Sequence, residues 1–595
     1  MSRLRADTLV NYSGSGTPNF KSGVTGAAVT FTGDVTAANG SFTGNVTIDG
    51  NLTYKDVTNV DSVGIITAQE GIQVSANGVN VTGVGTFNNP ITVAGIATIN
   101  GGGLDVTGVI TATSYSGDGS SLSGVSPSVS AVASGTLANG QTVILQSDGT
   151  VAGVASVSQS LGSAVVFESA TTTHISATFD STNGKVVIAY LDAGNSDAGT
   201  AVVGTVSGTS ISFGTPVVYT ASIESTGGSI VYDSANEKVV IAYRDAGNSA
   251  YGTAIVGTVS GTSISFGSAV VFNSTSTGWI SAGYDSTNSK VVIAYRGTSS
   301  YGRAIVGTVS GTSISFGSET VFESADTRYI SVAYDSSNEK IVIAYDDYGN
   351  SEHGTAVVGT VSGTSISFGT PVVFNAAMSR YIGATFDSNN NKVVIGYQDC
   401  GNSCYGTAIV GTVSGTSISF GSEVVFESAN GTLYIKPVFD SNAGKVVIAY
   451  RDDGNSSYGT VIVGTVSGTS ISFGSASVFE SANSTYISAA FDSTNNEVVI
   501  AYSDEGNSNY GTSIVFQNAS TNLTSSNFLG FSNAAYTDGQ TATVQIAGAV
   551  DDAQSGLTTA SVHYVQNDGT LSTSAGTPSV EAGLALSATE IAIKA

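Results

Sequence analysis

Residues 185–190 read KVVIAY, and the chain returns to that phrase six times: at 238–243, 290–295, 340–345 (KIVIAY), 392–397 (KVVIGY), 445–450 and 497–502 (EVVIAY). Successive copies start 53, 52, 50, 52, 53 and 52 residues apart. A fixed period of this size marks an array of supersecondary units. The phrase VVIAY is apolar on both faces, so as a strand it must be covered on both sides. Around it stand ISATF (175–179), TAVVGTV (200–206) and SISF (210–213), each short enough for one strand. Four strands per repeat and seven repeats predict an all-β fold, a seven-bladed β-propeller in which each sheet lies between two neighbours. The residue before each tyrosine is small: Ala189, Ala242, Ala294, Ala344, Gly396, Ala449 and Ala501. That lets neighbouring sheets approach, and a bulky substitute would overpack the contact.

The ends of the array predict closure. SLGSAVVF at 160–167 matches SFGSAVVF at 265–272, whereas the last copy stops at YGTSIVFQNAS (510–520) without its own SISFG. The array therefore opens with a fourth strand and ends after a third. The early strand would complete the last blade and leave no exposed sheet edge.

Composition narrows the function classes. Among 595 residues, 18 are Lys or Arg and 44 are Asp or Glu, a net charge of −26. Non-specific nucleic-acid binding needs the opposite sign, and no apolar run is long enough for a membrane helix. The opening MSRLRADTLVNYSGSG has no apolar core of a signal peptide.

Outside the array the pattern changes. Residues 1–20 read as an attachment segment. From 21 to 126 very short strands alternate with Gly, as in SFTGNVTIDG (41–50) and LDVTGVITA (104–112). Runs this short need stacking, so they predict an elongated β-rich shaft, between several chains; a flexible Gly/Thr-rich stalk is the other reading. Residues 127–152 carry NG and DG turn signals and form a small β connector. The array takes 153–518. Residues 519–595, with NDG at 567–569, form a further β module.

The phrases MSRLRAD (1–7), DVTNVDSVGIITAQEGI (56–72) and SYSGDGSSLSGV (114–125) resemble tail-fibre-like virion proteins of phages infecting marine cyanobacteria. The C-terminal stretch 555–594 is similar to terminal modules of phage fibres. The resemblance covers mainly the first 125 and last 70 residues. It implies a virion structural protein, its N-terminus toward the particle and in contact with other virion proteins, exported by assembly rather than by a leader. It carries no catalytic residue over. A fibre of this kind is expected to be a homotrimer.

In an array of repeats, variation confined to one face draws a ligand surface. The DSTNGK-type turns (180–185 and equivalents) and the VSGTS turns are nearly uniform and read as scaffold. The other face varies. At the start of the inner strand stand His174, Ser229, Trp279, Tyr329, Tyr381, Tyr434 and Tyr486; after VVIAY come Leu191, Arg244, Arg296, Asp346, Gln398, Arg451 and Ser503. Aromatic bodies with polar tips beside arginines suit stacking on sugar rings. The candidate host-glycan residues are therefore Trp279, Tyr329, Tyr381, Tyr434, Tyr486, Arg244, Arg296, Arg328 and Arg451. The competing reading is that the rings fill a crowded inner channel.

Catalytic chemistry has little to draw on. The three histidines, His174, His353 and His563, are scattered, with no metal-ligand spacing and no nucleophile–His–acid set. Asp192, Asp245, Asp347, Asp399, Asp452 and Asp504 recur with the repeat and read as turn formers. We expect no enzyme, no metal and no cofactor; a polysaccharide depolymerase is the alternative, which hydrolysis of host capsule polysaccharide would reveal. The two cysteines, Cys400 and Cys404, share one loop, DCGNSCYG, where the second repeat has alanines. They form either a local disulfide or two free thiols.

Overall fold

The computed structural model describes residues 127–594 except 225–227 and 430. The attachment segment 1–20 and the shaft 21–126 lie outside the described residues.

The described chain is an all-β, propeller-like array of repeated antiparallel sheets. Each KVVIAY copy is the middle strand of its unit. Lys185–Asp192 pairs antiparallel with Val165–Asp180 on one side and Ala198–Ser207 on the other. Its apolar residues are lost to solvent altogether, as the two-sided pattern requires. The first turn of each unit is locked by its aspartate. Asp180 Oδ1 accepts from the N–H groups of Thr182 and Asn183, and Oδ2 accepts from the Asn183 side chain. Asp440 keeps the backbone bonds, but Ala443 replaces the asparagine and Oδ2 has no such partner.

The fourth strand comes in two pieces. Ser210–Phe213 and Val217–Thr220 pair with opposite ends of Ala198–Ser207. The link from there to the next unit departs from the sequence reading, which placed a variable loop at this point. In Val165–Asp180, Thr320–Asp335, Val372–Asp387 and Ser477–Asp492 one 16-residue strand makes the crossing. Thr320–Asp335 pairs first with Tyr301–Ser310 and then with Lys340–Asp347. Continuous pairing keeps the backbone groups of the crossing satisfied, which a buried loop could not do.

Apolar clusters join each unit to its neighbour. Val187, Ala189 and Ala201 pack with Ile230, Val239 and Ile241. The pattern is repeated along the array. Val499, Ala501 and Val515 of the last copy pack with Ile175, Val186 and Ile188 of the first. The small residue before the tyrosine sits at this contact: a Cβ on Gly396 would lie 3.0 Å from Ile435 Cγ2 of the next unit. On the turn face the approach is tighter. A Cβ on Gly214, Gly267, Gly317, Gly369 or Gly421 would meet the carbonyl oxygen of the next unit's VSGTS threonine at 1.8–1.9 Å. Gly162 stands in the same relation to Thr209 of the first unit. Gly474 does not, because the last unit has no such turn.

The ends are tied as the sequence predicts. Ser160–Leu161 and the first part of Val165–Asp180 pair with Tyr510–Gln517, the last strand of the array. Ser156–Val157 pairs with Ser520–Thr521 immediately outside.

The connector 127–152 and the module 519–595, read from sequence as two units, fold as one. One sheet runs in the order Ser128–Val132, Thr541–Gln545, Phe528–Ser532, Thr142–Leu145, Val151–Gly153. A second five-stranded sheet, built from 550–593, shares a core with it: Ile144, Ala152 and Val154 pack against Phe531, Val565, Ala582 and Ile591. Neither segment has enough apolar surface for a core of its own, and the paired ends of the array bring them together.

Candidate functional site: an aromatic collar over a channel

The site begins with a backbone irregularity. Thr173 lies opposite Leu191 and Ser176 opposite Ala189, so His174 and Ile175 together face the single residue Tyr190. The same two-against-one bulge recurs at Trp279, Tyr329, Tyr381, Tyr434 and Tyr486. At each, the aromatic residue has a left-handed backbone, with φ between 47° and 52°. A side chain in that region costs about 1–3 kcal/mol, and such strain concentrates at clamps and sites. A bulge re-aims the side chain it carries. Here it aims successive rings at one another.

The rings stack round the mouth of a channel. Centroid distances are 4.6 Å for His174–Tyr486, 5.5 Å for Tyr486–Tyr434, 5.4 Å for Tyr434–Tyr381, 5.2 Å for Tyr381–Tyr329 and 4.4 Å for Tyr329–Trp279. They line a cavity of about 350 Å³ together with Ile280, Ile330, Ile382, Ile435, Ile487 and Lys436. Burial and the neighbouring phenols push the Tyr434 hydroxyl up to about 12, and burial raises Tyr329, Tyr381 and Tyr486 as well. The collar phenols therefore stay protonated and can donate hydrogen bonds.

The second unit breaks the collar. Ser229 pairs opposite Ala242, as Ser176 pairs opposite Ala189. Ser229 is thus the counterpart of Ser176 and not, as the sequence alignment had it, of His174. Counted back from Ser229, the residue equivalent to His174 is number 227, a glycine in the sequence that lies outside the described residues. Beside this break lies a second, polar pocket of about 470 Å³ lined by Arg244, Arg296, Trp279, Thr275, Ser276 and Ser300.

The structure brings the five sequence-predicted aromatics together but gives the arginines acidic partners. Arg244 meets Glu224 at 2.9 Å. Arg296 and Arg328 share Asp326, each at 2.8 Å. Arg328 also lies 3.8 Å from the Tyr348 ring centre. Arg451 meets Asp453 at 2.6 Å and faces the Tyr434 ring at 5.6 Å. The rings pack on each other, as the channel-filling reading has it, and they also line an open cavity.

No protein-family model matches the chain, and no curated protein matches it. Similar solved structures exist. The BP39L lectin of Burkholderia pseudomallei is 9% identical with a TM-score of 0.44, over 60% of this chain and 99% of that one. A chain of the mitotic checkpoint complex is 10% identical with a TM-score of 0.41, over 61% and 95%. An arginine-to-alanine mutant of AofleA from Arthrobotrys oligospora is 10% identical with a TM-score of 0.35, over 58% and 96%.

Other sequence candidates are scaffold. Asp347, Asp399 and Asp452 accept backbone N–H bonds from Asn350, Gly401 and Asn455, the turn role read for them. Cys400 and Cys404 are joined by a disulfide. The sequence reading left two groups out of its candidate set. Asp346 is 1% exposed and neither carboxylate oxygen has a hydrogen-bond partner. Burial, with Glu352 nearby, pushes its carboxyl up to about 7 despite Arg328 and Arg380. Lys436 lines the channel. Its signal was available: it stands where the other units have serine or glycine.

Proposed function

We propose that this is a non-enzymatic phage fibre protein that adheres to a host surface through glycan contacts on the collar face of a closed seven-bladed β-propeller. The observation that carries the glycan reading is the collar itself: six rings, each held in a strained backbone conformation, framing a cavity large enough for a small ligand. Stacked aromatics with protonated hydroxyls offer both an apolar platform and donors to a sugar. The pairing of 160–171 with the last strand, and the packing of the last unit on the first, support closure. The fibre role rests on the terminal phrases that resemble marine cyanobacterial phage fibres. In that setting the N-terminal region docks to other virion proteins, the chain forms a homotrimer, and three faces raise avidity without new contacts.

A second reading is a fibre whose array only spaces or protects. The acidic partners of Arg244, Arg296, Arg328 and Arg451 favour it, since tied arginines are less free to meet a ligand. Binding of the full chain to a glycan array and to host cells separates the two. Adhesion predicts signal that Trp279→Ala plus Tyr329→Ala removes while the fold is kept. Binding unchanged in that double variant removes the assignment.

A further inference from the structure

One step below the collar, each unit places a residue opposite the alanine or glycine of VVIAY: Ser176, Ser229, Ser281, Ser331, Gly383, Lys436 and Ser488. The serines tie neighbouring units. Ser176 Oγ accepts from the Ile230 N–H, Ser229 from Ala282, Ser281 from Val332, Ser331 from Ala384 and Ser488 from Ala177. The tie is missing between the sixth and seventh units, where Lys436 replaces the serine, and between the fifth and sixth for a matched reason. Pro437 has no N–H to give and Gly383 no hydroxyl to receive it. A Cβ on Gly383 would lie 2.4 Å from Pro437 Cδ. The Lys-Pro pair has thus replaced a structural tie, and the interunit contact has been refitted around it.

The lysine gains nothing structural in exchange. Among the described residues its ammonium has no hydrogen bond and no ion pair. It lines the channel with rings and isoleucines, and no Asp or Glu lines the cavity with it. This is one of only 18 basic residues in a chain of net charge −26. Its side chain is exposed to the solvent of the cavity, while the protein mass around it holds its pKa below the ordinary lysine value. An anion entering the cavity would supply the missing partner through a charge-assisted hydrogen bond.

We propose that the collar takes the terminal residue of an acidic glycan, the sugar ring against the aromatic rings and its carboxylate on Lys436. This rests on the glycan reading above and narrows it to one ligand chemistry. The volume of about 350 Å³ is at the small end of ligand pockets and fits one sugar ring rather than a chain.

The test uses the full chain with methyl glucuronide and methyl glucoside, which differ at the carboxylate, followed by ligand-observed NMR titration. Wild type should prefer the glucuronide by about tenfold or more. Lys436→Ser, the residue of five sister units, and Lys436→Met, which keeps the apolar stem, should both lose that preference while still binding the glucoside. Thermal unfolding confirms that each variant is folded. Equal binding of both sugars by wild type, or a preference kept in both variants, overturns the role of Lys436 and leaves adhesion standing. Failure of both sugars to bind, while larger glycans bind in a way Trp279→Ala plus Tyr329→Ala abolishes, overturns the single-residue fit. Absence of binding to any glycan or host cell overturns the adhesion reading itself.

Discussion

At the scale of single residues, the buried tyrosines of VVIAY show how closely the repeats are adjusted. Tyr190, Tyr345, Tyr450 and Tyr502 donate to Glu168, Glu323, Glu427 and Glu480, which follow the VF of the preceding strand. Where that position is Asn273 or Asn375, the tyrosine turns to another glutamate: Tyr295 to Glu319 and Tyr397 to Glu423, both at 2.8 Å. Tyr450→Phe should therefore cost about 1–2 kcal/mol in urea unfolding, because it strands a half-buried carboxylate partner. This substitution pattern was visible in the sequence, but only geometry says that a glutamate 24 or 26 residues after the tyrosine can replace one 22 or 23 residues before it. Two carboxyls, Asp346 and Glu497, are pushed up by burial to about 7. A raised carboxyl binds its proton more tightly in the folded state, so it costs stability as pH climbs from its ordinary range near 4 to about 7. Asp346→Asn should melt increasingly above wild type between pH 4.5 and 7.5, and an unchanging difference in Tm would count against that burial. The disulfide closes a very short loop; Cys400→Ala with Cys404→Ala should cost no more than about 2 kcal/mol, read from the urea midpoint.

At the scale of elements, the repeat period and the two-sided VVIAY pattern were enough to place the middle strand of every unit, its turns and the pairing of the array's first strand with its last. The collar was half legible. Its aromatics could be picked out by their place after a variable segment, yet their stacking depends on a bulge that neither periodicity nor propensity marks. The second unit was misaligned by two residues: the register puts Ser229 opposite Ala242, where Ser176 stands opposite Ala189. Lys436 was missed because a lone lysine on a strand reads as an ordinary solvated charge; it is exposed, but it is exposed to the cavity. The glycine–carbonyl contacts on the turn face give a paired test. Gly317→Ala should cost about 1–3 kcal/mol or more, since its Cβ would lie 1.9 Å from the Thr364 carbonyl oxygen. Gly474→Ala, whose nearest such atom is 3.9 Å away, should stay within about 0.5 kcal/mol. Equal urea midpoints for the two would mean that the units do not abut as described.

At the scale of the molecule, the two segments flanking the array were not legible as one body, because two C-terminal strands sit between N-terminal ones some 400 residues away in sequence: Ser128 faces Gln545, and Thr142 faces Phe531. No local pattern reports a pairing at that range. Removing everything after Asn518 should therefore unfold residues 128–153 too, detected as rapid proteolysis of that stretch while the array resists. The same arrangement decides where mechanical load goes. The array is spliced into the flanking body between residues 154 and 520, so a tug between its two outgoing chain ends is met first by the Ser156–Val157 and Ser520–Thr521 pair and the sheets around it. The repeats beyond that knot hang as a pendant, outside the line of force, and can hold their shape while the strand that carries them is under strain.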